Sequence, residues 1–225
     1  MSTWFVIPSK MDAVGCNATL AKWTAQGYRT AVFRDFRDSN VNADLVLFGT
    51  YPGYAEAVNR LCRAVRDSDS DASWLVTGGD DTWPDPTKRA DDIAAECTEH
   101  FGGTFGVMQP TGDRWGEDES GSAYIDRICG SPWMGREFTR RMYGGEGPLW
   151  SGYFHMCVDD ELQQVAKLLG VLWQRRELIH YHDHWWRRHN EMPQYLEKAN
   201  VELRTARDVL RDRKNSGFPG HEPIA

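Results

Sequence analysis

Short apolar runs alternate with helical patterns through the first 110 residues, and that rhythm limits the chain to a small set of folds. Trp4-Phe5-Val6-Ile7 is a compact β-type run closed by Pro8-Ser9. Residues 17–23 have helical spacing, with Asn17 as a candidate N-cap and Gly27 as the stop. Residues 28–33 and 44–48 predict two further strands. Apolar residues at Ala57, Val58, Leu61, Ala64 and Val65 predict an amphipathic helix over 54–65. Trp74-Leu75-Val76 predicts a fourth strand, residues 88–100 a helix and residues 105–108 a fifth strand. Strands interleaved with helices in this way predict an α/β layered domain with a largely parallel central sheet.

Beyond residue 110 the pattern changes. Residues 110–122 are polar and Gly-rich, and residues 130–136 and 144–150 read as irregular backbone punctuated by large aromatics. Residues 159–169 predict a helix, and residues 192–213 a long charged amphipathic one followed by a Gly/Pro tail. A length of 225 residues suits one large domain. The predicted division is a domain over 1–190 and a C-terminal helix and tail over 191–225.

Composition closes off several classes. A hydrophobic fraction of 40% with 12% aromatics excludes a disordered chain. No apolar run approaches the roughly 18 residues of a membrane helix, so no membrane partner is expected. The N-terminal residues carry no secretory pattern, and the five scattered cysteines read as reduced thiols of a cytoplasmic protein. The net charge of −7 is uneven: residues 1–126 hold 20 acidic against 11 basic residues, and residues 127–225 hold 13 against 15. The second half therefore has the charge to carry a basic face.

Four segments carry candidate chemistry. Thr77-Gly78-Gly79-Asp80-Asp81 follows the fourth strand, and open α/β sheets bind ligands at the carboxyl ends of their strands. Adjacent carboxylates cannot point the same way from a strand, so one suits a hard divalent cation and the other a ribose hydroxyl; an Asp-rich turn is the plain alternative. His180, His182 and His184 would share one face of a strand, and His180 and His184 one face of a helix. With no cysteine nearby to complete a zinc site, one imidazole joining carboxylates on Mn²⁺ or Mg²⁺ fits better. Asp159-Asp160 opens a helix, where acids also serve simply as caps. Trp133, Arg136, Arg140, Arg141, Tyr143 and Trp150 interleave rings with guanidinium groups, as a surface for sugar rings or nucleobases does. The chain has no G-x-x-x-x-G-K-S/T, no G-x-G-x-x-G after the first strand and no G-x-S-x-G.

In this order the pieces resemble a GT-A glycosyltransferase of the broad family-two type. Val6-Ile7-Pro8-Ser9 matches the family's first strand end, which approaches the nucleotide; Asp35 matches the acid that contacts the base. Gly79-Asp80-Asp81 matches the D-x-D motif, with Gly79 departing from its first acid. The resemblance implies a GT-A-like open sheet flanked by helices, with a C-terminal helical appendage. It gives residues 1–110 as the donor half and 111–190 as the acceptor half. It also implies donor binding by Pro8, Ser9, Asp35, Gly79 and Asp80, metal binding by Asp81 and His182 (His180 in reserve), and a general base at Asp160 or Asp159. Residues 105–115 and 129–136 are similar to small glycosyltransferase-like proteins of phages, some of which act on hydroxymethylated pyrimidines in DNA.

The expectation is a Mn²⁺- or Mg²⁺-dependent, inverting transfer from a nucleotide-sugar, such as a UDP-sugar, to an acceptor hydroxyl. 5-Hydroxymethylcytosine in viral DNA is the expected acceptor, in a host cytoplasm, gripped by Trp133, Arg136 and Trp150 among the arginines of 127–189. A glycan or protein acceptor, a sugar-1-phosphate nucleotidyltransferase and a non-catalytic glycan- or nucleic-acid-binding protein are the alternatives.

Overall fold

The computed structural model describes residues 1–35, 40–112, 130–183 and 194–225, with the backbone alone over 194–200. The chain runs β1 (Ser2–Pro8), α1 (Ala13–Ala25), β2 (Arg29–Arg34), β3 (Leu45–Phe48), α2 (Tyr54–Ser68), β4 (Ala72–Val76), β5 (Thr82–Trp83) and α3 (Ala90–Phe101). There follow β6 (Val107–Gly112), β7 (Trp133–Gly135), α4 (Arg136–Arg141), a single 3-10 turn, α5 (Val158–Leu168), β8 (Leu172–His182) and α6 (Gln194–Asn215). Eight strands form one sheet in the order β3-β2-β1-β4-β7-β6-β8-β5. The first four are parallel; β7 is antiparallel to both of its neighbours, β8 is parallel to β6, and β5 is antiparallel to β8. This is the α/β open sheet with flanking helices and a C-terminal helical appendage that the sequence predicts.

β1 shows why the sheet is buried on both faces. Successive side chains of a strand point to opposite faces. Trp4 and Val6 pack with Val58, Leu61 and Val65 of α2, whereas Phe5 and Ile7 pack with Leu20 and Trp23 of α1 and Ile93 of α3. All four β1 side chains are at most 1% exposed, and Phe5 stacks on Trp23 with ring centroids 3.8 Å apart. A strand covered on both sides reads as one apolar run. Truncating such a ring typically costs about 3–5 kcal/mol.

Helix α1 begins earlier than its apolar spacing suggests. The N-cap is Asp12, whose Oδ1 accepts from the Gly15 amide at 2.8 Å, not Asn17. Asn17 instead bridges to the backbone of Asn40 and Asn42. α6 is fastened at its C-terminal end: Leu203, Ala206, Val209 and Leu210 pack against the core on the α2 face, and Phe218 enters it. Among the described residues no helix is long and apolar enough to cross a membrane. Cys16, Cys62, Cys97 and Cys157 are buried free thiols.

Candidate active site

The sheet order places a crevice between β1 and β4, because the connections from β1 and from β3 leave in opposite directions across the sheet. Ligands bind outside the carboxyl ends of strands at such a point. Ser9 leaves β1 there and Asp80 leaves β4, and the Ser9 hydroxyl donates to Asp80 Oδ2 at 2.8 Å across the crevice. Below them Arg34, at the end of β2, is fully buried with Nη1 3.4 Å from Ser9 Oγ. Thr19 of α1 donates to the Asp80 carbonyl at 2.6 Å. Burial raises the Asp80 carboxyl above the ordinary range and the neighbouring Asp81 adds to this, while the Ser9 hydrogen bond opposes it.

Asp81 faces another partner. Its Oδ1 lies 3.2 Å from His182 Nε2, and its carbonyl accepts from the Asp183 amide at 2.9 Å. The two-rung ladder between β5 and β8 makes this meeting, pairing Thr82 with His182 and Trp83 with Tyr181. Gly79 closes the turn: its amide donates to Thr82 Oγ1 and its carbonyl accepts from the Thr82 amide. A Cβ at Gly79 would collide with Asp81 Oδ1. Where D-x-D has its first acid, the space beside Gly79 is occupied by the end of the Asp81 side chain.

The structure separates the two histidine candidates. His180 is 2% exposed; Nδ1 is 2.8 Å from Ser131 Oγ, Nε2 accepts from Trp133 Nε1 at 3.4 Å, and its ring packs edge-on to Trp23. Burial pushes its pKa down to about 3, so it stays neutral in the core. His182, at the outer end of the strand, is the histidine beside a carboxylate.

Among the described residues no cluster of three or more His, Cys, Asp or Glu could hold a metal alone. Two adjacent ligands of one octahedral divalent ion, each at about 2.1 Å, stand about 3 Å apart. The Asp81–His182 separation of 3.2 Å suits two ligands of one such ion.

The second acidic pair opens α5. Cys157 precedes it in the left-handed region, at φ 69°, and supplies no side-chain cap. The Asp160 amide donates to Asp159 Oδ1 at 3.1 Å. Burial, then repulsion from Asp160, raises the Asp159 carboxyl to about 7. Tyr54 links this pair to the sheet edge, since its hydroxyl meets Thr77 Oγ1 at 3.0 Å and donates to the Gly78 carbonyl at 3.1 Å. Burial raises the Tyr54 pKa first, and the charge of Asp159 raises it further. Asp159 thus acts on the tyrosine whose hydroxyl is bonded to the strand end before Asp80. The Tyr54 amide also donates to the Phe154 carbonyl at 2.6 Å, and the half-exposed rings of Tyr51 and Phe154 meet at 5.6 Å.

Of the predicted acceptor residues, Trp133 lies in the core and Arg136 and Trp150 make contacts within the fold. Trp133 is wholly buried between the sheet and α1, edge-on to Tyr28. Arg136 donates to the carbonyls of Arg66, Asp69 and Ala72 at 2.9–3.1 Å, tying α4 to the end of α2. Trp150 lies against the Arg213 guanidinium, 3.7 Å from its ring centroid. Arg140 binds Glu137 and the Ala225 carbonyl, Arg141 the Ile224 carbonyl, and Arg175 both Glu96 and Glu177. Arg136 and Arg175 are thereby held within the fold, whereas the Arg140 side chain stays 42% exposed and Arg176 is exposed. Arg127, Trp185, Trp186, Arg187 and Arg188 lie outside the described residues, as does His184.

Asp35 is exposed directly after β2, and Pro8 is half-buried at the end of β1. Arg34 and Tyr54 are site residues the sequence reading passed over. Their signals were a charged residue inside an apolar strand end and the Tyr51-Pro52-Gly53-Tyr54 turn opening α2. Two surface concavities, of about 570 Å³ beside Glu56, Arg63 and Glu146 and about 390 Å³ beside Lys22, Trp83 and Tyr181, are lined by neither acidic pair.

An open sheet with acids at the carboxyl end of β4 is the GT-A-like architecture that the order of the motifs implies. No family model matches the chain, and no curated protein sequence matches it. Among solved structures, the chain is similar to a Bacillus anthracis protein assigned as a glucose-1-phosphate thymidylyltransferase, at 9% identity over 80% of this chain and 88% of that one, TM-score 0.47. A protein from STIV is similar at 16% identity over 82% and 86%, TM-score 0.44. A glycosyltransferase involved in glycosylation of the major capsid of PBCV-1 is similar at 6% identity over 61% and 62%, TM-score 0.37. At these values the likenesses carry no argument about activity.

Proposed function

We propose that the chain is a glycosyltransferase that moves a sugar from a nucleotide-sugar donor, such as a UDP-sugar, to an acceptor hydroxyl. The observation that carries this reading is the convergence on one sheet edge of the Ser9–Asp80 contact and the Asp81–His182 pair. Asp35, Pro8 and Ser9 line the nucleoside side, and Asp80 offers its carboxylate to a ribose hydroxyl. Asp81 and His182 would hold Mn²⁺ or Mg²⁺, which when bound would supply neutralisation of the charge on the departing nucleoside diphosphate. Arg34, buried beneath, adds a fixed positive charge to the same edge.

Asp159 is the better base of the acidic pair. Its raised pKa lets it accept a proton near neutrality, where a general base works best. Taking the proton from an acceptor hydroxyl as that oxygen attacks the anomeric carbon implies inversion. The half-exposed rings of Tyr51 and Phe154 lie one residue contact away through Tyr54, and they suit the apolar face of a sugar ring. An uncharged glycan hydroxyl is the acceptor best suited to acids flanked by rings. Hydroxymethylated DNA would need a phosphate grip, and of the described arginines Arg136 and Arg175 are already committed to carbonyls and carboxylates of the fold.

The test is a panel of nucleotide-sugars with and without Mn²⁺, read by thermal shift and by slow donor hydrolysis, followed by acceptor arrays that include hydroxymethylated DNA. Metal-dependent stabilisation by one donor, with release of nucleoside diphosphate, is the expected result. Absence of donor binding across the panel would overturn the reading, and hexosylated 5-hydroxymethylcytosine would overturn the glycan acceptor alone.

A further inference from the structure

One residue beyond Asp160, Glu161 is 1% exposed and accepts four hydrogen bonds. Tyr143 donates to Oε1 and Tyr153 to Oε2, each at 2.9 Å. Arg213 donates from Nε to Oε2 at 2.8 Å and from Nη2 to Oε1 at 2.6 Å. The three donors come from three segments: the 3-10 turn after α4, the loop before α5 and the last turn of α6. Arg213 also covers Trp150 and donates to the Pro219 carbonyl at 3.3 Å.

Stability alone does not explain this arrangement. A buried ion pair gives up two hydration shells, and apolar residues of similar size often serve as well. What distinguishes the pair is its place. The first turn of α5 begins at a left-handed residue with no side-chain cap, so before Asp159 it is held by the buried Cys157 and Val158 and by the Cys157 carbonyl, which accepts from the Glu161 amide at 3.1 Å. Glu161 anchors it from within the turn.

We propose that Glu161, clamped by Arg213, Tyr143 and Tyr153, is a positioning residue that fixes the first turn of α5 and aims the Asp159 carboxylate. The proposal rests on the glycosyltransferase reading only for the role of Asp159; the clamp itself does not depend on it. The titratable groups around Asp159 are Asp160 on its own helix, Tyr54 from α2, and Cys157 on the preceding loop, which feels both Asp159 and Asp160. From α6, Arg207 acts on Cys157 and Glu202 on His155, which packs against Tyr54. Loosening the turn would admit water to Asp159 and let its titration fall towards that of an ordinary carboxylate.

Two variants test this in the full chain. Arg213→Lys keeps the charge but loses the two-pronged contact. The double variant Glu161→Leu/Arg213→Met replaces the pair with apolar bulk and keeps the fold testable if the single change unfolds it. In both, donor affinity should stay within about twofold while kcat falls about tenfold or more, the pattern of a misaimed base. The acidic limb of the pH–rate profile should move to lower pH. Carboxyl carbon NMR of Asp159 should show the same displacement without any turnover. Folded variants with an unmoved Asp159 titration and a wild-type kcat would overturn the proposal. A displaced titration in a protein that turns over no nucleotide-sugar would leave the clamp standing and remove the glycosyltransferase reading.

Discussion

Asp81 and His182 stand far apart in the chain, yet Oδ1 of one lies 3.2 Å from Nε2 of the other. Only two residues of β5 bring them together, through the pairing of Thr82 with His182. A contact set by backbone pairing is preorganised, so a ligand bridging the two side chains would not first have to gather them.

Removing either side chain should therefore weaken metal-dependent donor binding without unfolding the protein. Asp81→Ala and His182→Ala are expected to weaken Mn²⁺-dependent UDP-sugar binding by at least the roughly 10–100-fold that loss of a ligand's hydrogen-bond partner costs. Calorimetry with and without Mn²⁺ measures it, and far-UV circular dichroism checks the fold. Unchanged metal dependence in both variants would remove the pair from the donor site.

Restoring the acid missing from D-x-D should harm rather than help. A side chain at Gly79 meets the end of the Asp81 side chain, which can swing away at little cost to the fold. Gly79→Asp would then displace Asp81 from His182 and add a third repelling carboxylate beside Asp80. Metal-dependent donor affinity should fall about tenfold with little change in melting temperature. A gain in metal affinity would show that the turn tolerates the acid.

Much of the fold was legible because each buried element repeats one pattern. β1, β2 and β4 each carry an apolar run of three or more residues, and α2 has an apolar stripe. β5, β7 and α4 were not legible: two or three residues cannot display a period, and Gly135 ends β7 where α4 starts. That blindness also hid the places of Trp133 and Arg136 in the fold. Alternating rings and guanidinium groups look like a binding surface, and only the antiparallel insertion of β7 beside β4 puts Trp133 in the core. Asp80 and Asp81 could be placed from strand ends alone. The resemblance already put Asp81 with His182, whereas the Ser9–Asp80 hydrogen bond came only with the sheet order.

The place of Arg136 in the fold has its own consequence. Arg136→Ala removes a donor from the carbonyls of Arg66 and Asp69 at the end of α2 and of Ala72 at the start of β4, and should cost about 2–3 kcal/mol. Urea unfolding measures this. Donor affinity in the folded variant should equal that of the parent, whereas an acceptor-binding arginine would leave stability alone and raise the acceptor KM.

The pH dependence of Asp159 has a defined sign. Its carboxyl is raised to about 7 from the ordinary 3.8, by burial first and by Asp160 second. Between those values the native state binds more protons than the unfolded chain, so stability falls as pH rises through this window and the full penalty is present above it. Asp159→Asn removes that penalty. The variant should be more stable than the parent, and its advantage should be about 2 kcal/mol larger at pH 8 than at pH 5, well below the limit for a fully buried group because Asp159 is partly exposed to water. The same change removes the base, so turnover should fall about 100-fold or more. In the parent, rate should rise with pH as Asp159 loses its proton, and Asp160→Asn should bring that rise to lower pH by relieving the repulsion. Melts at the two pH values and a pH–rate profile decide the matter together. An Asp159→Asn protein that gains no stability at the higher pH would mean that the carboxyl is solvated and ordinary, and the role of base would then pass to Asp160.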